Sequence, residues 1–290
     1  MPQPDLVLLG HTGFIGKALA DEVRRRGLQA RGYSSAELDL RRPEALRTLE
    51  TGPDSVLIAA SALTLDRADD TPELFEANMA MVANLARRLE SRPPARCVYL
   101  SSFTVYAGTA SQATTDEDSP VAPATYYAAS KYAGELLLAA AARRADFPLL
   151  TLRLGRVYGP GLRRAVYGPV RFIQSILERG ELELYGDGRE SRDHLYIDDA
   201  ARIIADLALG SFEGVYNVVC GSSRSFQDVV SSLRAVAPPF RVLERPRMRP
   251  VVELAPFSTA KLYRALPGAR FTPFEEGLGR TYRQMASAHA

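Results

Sequence analysis

Two cysteines, three histidines and three lysines are all that this 290-residue chain holds of those residue types. The histidines (His11, His194, His289) and the cysteines (Cys97, Cys220) lie far apart with no metal-ligand spacing, so no metal site is expected. Both cysteines fall in strand-like runs and read as buried free thiols of a reducing cytoplasm. No apolar run reaches the roughly 18 residues that a membrane span needs. No signal peptide is expected ahead of the first strand. A net charge of +2 offers no pull toward nucleic acid or an anionic membrane. Hydrophobic residues at 46% and charged residues at 24% leave an ordinary soluble chain. It is long for one domain and short for two, which predicts a main domain with a smaller lobe.

The scarcity of lysine is informative. Lys17, Lys131 and Lys261 stand among 36 lysines and arginines, so the chain uses arginine wherever a generic cation suffices. Lys17 reads as a solvated helix residue. Lys131 follows Tyr127 by four residues in an apolar, alanine-rich run that continues to about Arg144. In a helix the two share one face. A compact ammonium approaches a phenol and a ribose more closely than a planar guanidinium does.

Along the chain, short apolar runs alternate with helical patterns. Strands are expected at Asp5–Leu9, Gln29–Tyr33, Ser55–Ala60, Arg96–Leu100 and Leu149–Leu154, with a further strand end at Ala36–Leu40. Helices are expected after Gly16 (Ile15, Leu19 and Val23 inward, closed by Gly27), from Thr71-Pro72-Glu73 to about Glu90, and through Tyr127. Pro43 opens a short helix. The alternation predicts an α/β fold, a doubly wound parallel (Rossmann) sheet with a smaller C-terminal α/β substrate lobe. After Arg153 the texture becomes turn-rich and crowded with arginine. A helix at Asp198–Leu209 and a strand at Val215–Val219 return to the sheet, and Ser225–Val236 and Pro273–Met285 read as helices. The expected division is residues 1–155, rejoined by 195–220, for the dinucleotide domain, and 156–194 with 221–290 for the lobe.

The loop Gly10-His11-Thr12-Gly13-Phe14-Ile15-Gly16 has a strand before it and a helix after it. Gly10 permits the tight turn, Gly13 lets backbone approach a pyrophosphate, and Gly16 lets the helix pack on the strand. The free N–H groups of the helix start suit phosphate. Gly10, Thr12, Gly13, Phe14, Ile15 and Gly16 are therefore candidate cofactor residues, with Ala59 and Ala60 at the end of a neighbouring strand. His11 reads as a loop residue packed near the pyrophosphate. A carboxylate after the second strand would bind the adenosine 2′-hydroxyl, and Gly32-Tyr33-Ser34-Ser35 has none. Ser34 and Ser35 accommodate NAD or NADP, with a slight lean to NADP. Asp39 and Leu40 are assigned to the adenine side.

A free tyrosine, with a pKa of about 10, is a poor base near neutrality. A nearby cation lowers that by roughly 1–3 units. Tyr127 beside Lys131 can then exchange a proton with an alcohol. Ser102, ending the neighbouring strand, can hydrogen-bond the same oxygen while a hydride moves to or from the nicotinamide.

With these pieces in order, the sequence resembles an extended short-chain dehydrogenase/reductase of the NAD-dependent epimerase/dehydratase group. The matching motifs are Gly10-x-x-Gly13-x-x-Gly16, Asp39-Leu40, Asn78 in its helix, Ser101-Ser102-Phe103-Thr104-Val105-Tyr106 and Tyr127-x-x-x-Lys131. Beyond them come Arg153-Leu154-Gly155-Arg156-Val157-Tyr158-Gly159-Pro160, Gly186-Asp187-Gly188, Arg192-Asp193-His194-Leu195-Tyr196-Ile197-Asp198-Asp199 and Ser258-Thr259-Ala260-Lys261-Leu262. The resemblance implies Ser102, Tyr127 and Lys131 as a catalytic triad, with Asn78 a structural fourth member. Tyr127 and Lys131 also hold the nicotinamide ribose. It implies a nucleotide-diphosphate sugar as substrate, with Arg192 and Arg249 on its phosphates. A homodimer is implied through the helices 71–90 and 127–144.

Departures from the family pattern narrow the chemistry. Sugar 4,6-dehydratases carry an Asp-Glu pair just after the active serine or threonine, where this chain has Phe103-Thr104. Epimerases acting next to the keto group use a Cys there and a His in the substrate loop, and neither occurs. What remains is 4-epimerisation by oxidation and re-reduction, or reduction of a keto sugar. Arg156 stands where relatives often have Asn. With Arg163 and Arg164 it can pair with a carboxylate or phosphate of an unusual substrate. His194 reads as structural. The other readings are a non-catalytic NAD(P)-binding redox sensor or scaffold, and a reductase of a non-sugar carbonyl.

Overall fold

The computed structural model describes residues 4–64, 69–106, 114–162, 165, 168–247 and 255–289. The main sheet is six-stranded and parallel throughout. It contains β1 (Asp5–Leu9), β2 (Ala30–Tyr33), β3 (Ser55–Ala59), β4 (Arg96–Ser102), β5 (Leu149–Leu154) and, from far along the chain, β9 (Gly214–Val218). The spatial order is β2-β1-β3-β4-β5-β9. The strands read as unbroken apolar runs because both faces are covered. In β1, Leu6 and Leu8 enter one core, with Leu19 and Val23 of α1 (Phe14–Arg25) and Ile203 and Ile204 of α5 (Ile197–Leu209). Val7 and Leu9 enter the opposite core, with Leu85 and Leu89 of α2 (Pro72–Ser91) and Leu138 of α3 (Tyr126–Ala145). That is the alternation of a strand between two helical layers.

Helix starts follow their local chemistry. Thr71 caps α2, its hydroxyl accepting from the Leu74 N–H, with Pro72 in the first turn. Thr125 caps α3 in the same way, accepting from the Ala128 N–H at 3.0 Å.

Ala36–Leu40 is not a strand. A parallel neighbour of β2 needs a crossover of a dozen or more residues, and only Ser34 and Ser35 intervene. The segment instead turns at once, with the Leu38 N–H donating to the Ser34 carbonyl at 2.8 Å. Leu38 and Leu40 still bury in the core, which is what made the stretch read as a strand. Asn84 of α2 holds it by donating to the Leu40 and Arg41 carbonyls. The 3-10 turn at Ala45–Thr48 follows shortly after Pro43.

The remaining elements build a second packing unit. A three-stranded sheet has the order β10-β8-β6, from β6 (Arg156–Tyr158), β8 (Ser191–Tyr196) and β10 (Ser223–Ser225). β7 (Glu181–Tyr185) pairs in parallel with β11 (Arg241–Arg245). Helices α4 (Gly168–Arg179), α6 (Phe226–Arg234) and α8 (Phe274–His289) enclose a third core with Ile173, Val229 and Leu278; α7 (Ala260–Ala265) lies against β9. The chain passes directly from β5 through Gly155 into β6, which joins the two units beside the carboxyl end of β4.

No described helix is long and apolar enough to cross a membrane. Both cysteines are free. Cys97 is buried in β4, and burial pushes its thiol up to about 12. Cys220, just past β9, is half-buried and donates to Asp193.

Candidate active site

The sheet order reverses beside β1, and ligands of such sheets sit in the crevice at the carboxyl ends of the strands around that point. The glycine loop occupies this position. Gly10 adopts φ +83°, open to glycine at little cost, while its N–H reaches the Tyr33 carbonyl at 2.7 Å. The Gly13 N–H closes the turn on the Gly10 carbonyl at 2.9 Å. A Cβ on Gly16 would stand 2.1 Å from the Gly10 oxygen, so the first turn of α1 lies directly on the loop. Phe14 and Ile15 pack toward the third core, and Thr12 is exposed. The His11 ring lies over Gly32, where a Cβ would come within 2.5 Å. Ala59 ends β3, and the Ala60 N–H binds the Leu9 carbonyl. A tight loop feeding unpaired N–H groups at a helix start fits a pyrophosphate.

At the adenosine end, Ser34 is half-buried and Ser35 exposed. A carboxylate does stand there, although none lies within 32–35. Glu37 folds back across the turn and accepts from the Ser34 N–H at 2.8 Å and its hydroxyl at 2.7 Å. Those bonds hold its carboxyl below the usual range. The Asp39 carboxylate is taken up by Arg41 through its backbone and guanidinium N–H groups, and Leu40 is buried.

Ser102 is the last residue of β4, and Tyr127 and Lys131 lie on the first turns of α3. Ser102 is buried and its Oγ accepts from the Thr104 hydroxyl at 2.9 Å. That arrangement leaves the serine's own proton for another acceptor. Lys131 is 4% exposed, with its ammonium 4.5 Å from the centre of the Tyr99 ring. Burial pushes it down to about 8, against the pull of the Glu135 carboxylate one turn on. Tyr99 fits beneath the helix because residue 134 is glycine: a Cβ there would meet the Tyr99 hydroxyl at 2.3 Å.

Asn78, buried on α2, accepts from the Leu63 N–H at 2.8 Å and donates to its carbonyl at 3.0 Å. Its amide also donates to the Ser130 hydroxyl at 3.1 Å, which in turn donates to the Tyr127 carbonyl at 2.8 Å. Asn78 thus ties the loop after β3 to the backbone of the helix that bears Tyr127. Asp70 adds a second tie, accepting from the Tyr127 N–H at 2.9 Å. Sequence reading missed Asp70, whose signal is an acid just ahead of α2 that only the packing of α2 on α3 brings to Tyr127.

It also missed a buried ion pair under the site. The Arg153 guanidinium grips Glu135 at 3.0 and 2.7 Å, and the Ser101 hydroxyl donates to the same carboxylate. Arg153 extends to the Tyr106 hydroxyl at 2.6 Å, and Tyr106 to Asn217 at 2.9 Å. Burial alone would lower the arginine's pKa, and Glu135 more than reverses it. An acid four residues after Lys131, in an otherwise apolar helix, was the available signal.

Just past β5, Arg156 sets its guanidinium 5.7 Å from the centre of the Phe103 ring, and Phe103 meets Phe257 edge-on. These residues line one pocket with Ser191, Arg192 and Ser223. Arg192 pairs with Glu190. Arg249, Arg163 and Arg164 lie outside the described residues. His194 is 4% exposed, with no hydrogen-bond partner on either ring nitrogen, and burial pushes it down to about 3. The described residues contain no group of three histidine, cysteine or acidic side chains that could hold a metal ion.

A model of the NAD dependent epimerase/dehydratase family matches residues 6–219. The chain belongs to this family. A family relative, the dTDP-glucose 4,6-dehydratase of Streptomyces niveus, is 29% identical over 194 residues, covering 66% of this chain and 57% of its own. The UDP-glucuronate 4-epimerase of Thermodesulfobacterium geofontis is 30% identical over 179 residues, covering 60% and 54%. The chain spans a little over half the length of these curated relatives. Among solved structures, the UDP-glucose 4-epimerase of Thermus thermophilus in complex with NAD superposes with a TM-score of 0.84 at 25% identity, covering 98% of this chain and 99% of that one.

Proposed function

We propose that the protein is an NAD(P)-dependent enzyme acting on a nucleotide sugar, either a 4-epimerase or a ketoreductase, by interconverting an alcohol and a ketone. The observation that carries this reading is a buried lysine one turn from Tyr127, on a helix packed against β4, the strand that ends at Ser102. When bound, the nicotinamide would take up or return a hydride. Gly10, Gly13, Gly16 and the start of α1 would hold its pyrophosphate, and Tyr127 and Lys131 its ribose. Tyr127 Oη would take the proton of the reacting hydroxyl, or return it. Lys131 favours the phenolate, and Ser102 Oγ donates to the reacting oxygen. Asn78 and Asp70 fix the helix turn from which Tyr127 projects. Arg192 would bind the diphosphate of the substrate, with Arg249 assigned there by resemblance, and Arg156 would pair with a further anionic group of it.

Phe103 and Thr104 weigh against dehydration, because neither side chain can serve as the second acid or base. Glu37, placing negative charge beside Ser34, weighs toward NAD and against the lean to NADP that the two serines suggested. A homodimer through α2 and α3 fits the half-exposed Leu136 on α3, and light scattering at micromolar concentration checks it. A cytoplasmic location belongs to the same reading.

The deciding experiment is mass spectrometry of small molecules released on denaturation, followed by nicotinamide absorbance during turnover. A retained cofactor with no net absorbance change identifies an epimerase, and stoichiometric loss of reduced cofactor identifies a reductase. Absence of NAD(P) binding by calorimetry would remove the reading altogether.

A further inference from the structure

The sheet β10-β8-β6 carries a row of positive charge on one face. Arg224 pairs in register with Arg192, and Arg156 with His194. Register partners share a face of the sheet, as do residues two apart on one strand. Arg224, Arg192, His194 and Arg156 therefore line up across three strands. His194 reports the potential there: after burial itself, the three arginines are what hold its ring neutral. Among the described residues, Glu190 pairs with Arg192 on this face and Glu275 stands 3.7 Å from Arg224. Asp193, next along β8, is engaged by the Cys220 and Gly221 N–H groups.

The row has a direction. Leu154 pairs with Ser102 across β5 and β4, and Arg156 follows two residues later. Its guanidinium lies by the ring of Phe103, the residue after Ser102. Arg156 is thus the reacting end of the row. Arg192 stands on the next strand, two residues back, roughly 8 Å away by ordinary strand spacings. Arg224 lies one strand further. A diphosphate suits the Arg192–Arg224 end, where two cations are register neighbours. Arg156 stands nearer Ser102, at the end where the sugar would react.

We propose that the substrate carries a second anionic group, a carboxylate on the sugar itself, and that Arg156 holds it. The substrate class is then a nucleotide-diphospho hexuronate, an inference that rests on the nucleotide-sugar reading above. A planar guanidinium matches a carboxylate by two parallel N–H bonds. The half-buried Phe103 and Phe257 rings border that end of the pocket, and an apolar border strengthens a charged contact. The chemistry agrees with the pocket. A sugar with a carboxylate at C6 has no C6 hydroxyl to eliminate, and Phe103-Thr104 offers no residue to eliminate it.

Calorimetric titration of the NAD-loaded protein with UDP-glucuronate, UDP-glucose and UDP tests this, with acidic and neutral sugar pairs on dTDP and GDP in parallel. The wild type should bind the acidic sugar about 10-fold or more tightly than the neutral sugar on the same nucleotide. Arg156→Asn should bring the two to near parity while leaving affinity for the nucleotide diphosphate alone unchanged. Arg156→Lys should keep part of the preference. Parity in the wild type, or a preference that survives Arg156→Asn, overturns the proposal and leaves the nucleotide-sugar reading standing. Absence of binding by every nucleotide and nucleotide sugar overturns both. The wild-type acid-to-neutral ratio decides the matter even if Arg156→Asn does not fold.

Discussion

Helix α3 and the arginine face of β10-β8-β6 treat charge in opposite ways. Under α3, Glu135 and Arg153 are each about 6–7% exposed and satisfy one another, with Ser101 and Tyr106 completing their hydrogen bonds. Lys131 lies buried one turn before Glu135 on the same helix, and in the proposed reading its charge serves Tyr127. Across the crevice, the pair Arg224–Glu275 is loose and partly solvated, and three arginines point the same way. The first arrangement is internal and finished without a ligand. The second gathers three arginines on one face, with Glu190 against Arg192 and Glu275 near Arg224. In the proposed reading, one half of the site does the proton chemistry and the other holds the substrate.

The contrast can be broken at several points. The largest effect is expected from Tyr127→Phe, which should lower kcat by about 10²–10⁴-fold with NAD affinity kept. Unchanged turnover in steady-state assays would refute the acid/base assignment and favour the sensor or scaffold reading. Glu135→Leu should cost about 3–5 kcal/mol, because it strands the buried Arg153 charge. Adding Arg153→Leu should recover most of that loss in urea unfolding. Arg224→Leu, on the other face, should cost less than about 1 kcal/mol. Equal losses from Glu135→Leu and Arg224→Leu would erase the distinction drawn between the two regions.

A smaller effect concerns pH. His194 has a folded-state pKa of about 3, against about 6.5 in the unfolded chain. Below pH 6.5 the unfolded state therefore binds the extra proton, and stability falls as the pH drops from 6.5 toward 3. From pH 7 to pH 5 the loss should be about 2 kcal/mol. His194→Phe should flatten that dependence, since a phenyl ring can take the place against Tyr158 and Phe274. An equally steep profile in the variant would assign the acid sensitivity to other groups.

Much of this was legible in the residues. The strands Asp5–Leu9 and Leu149–Leu154 stand where their apolar runs begin and end, because a strand buried on both faces leaves a continuous signature. The glycine loop was legible because its spacing serves backbone sterics, as the short Gly16–Gly10 approach shows. Ala36–Leu40 was misread because buried leucines alternate there as they would in a strand, and alternation carries no information about the crossover a parallel neighbour requires. Glu37 escaped notice because its carboxylate arrives by a turn, three residues past the position where a strand end would present one. Asp70 and Arg153 meet their partners only through packing, across 57 and 18 residues of chain.

By itself the sequence determined much of what depends on short separations. These are the alternation of strands and helices, the phosphate-ready loop, and a tyrosine and lysine one helical turn apart. Helical and extended periodicities are local, so a linear text carries them. The tertiary structure alone decided which charges cancel and which remain. Glu135 is matched by an arginine from β5, while Arg156, Arg192 and Arg224 come from three strands to share one face. Coulomb energies depend on distance through space, and for these residues that distance is set by sheet register, which no stretch of sequence displays.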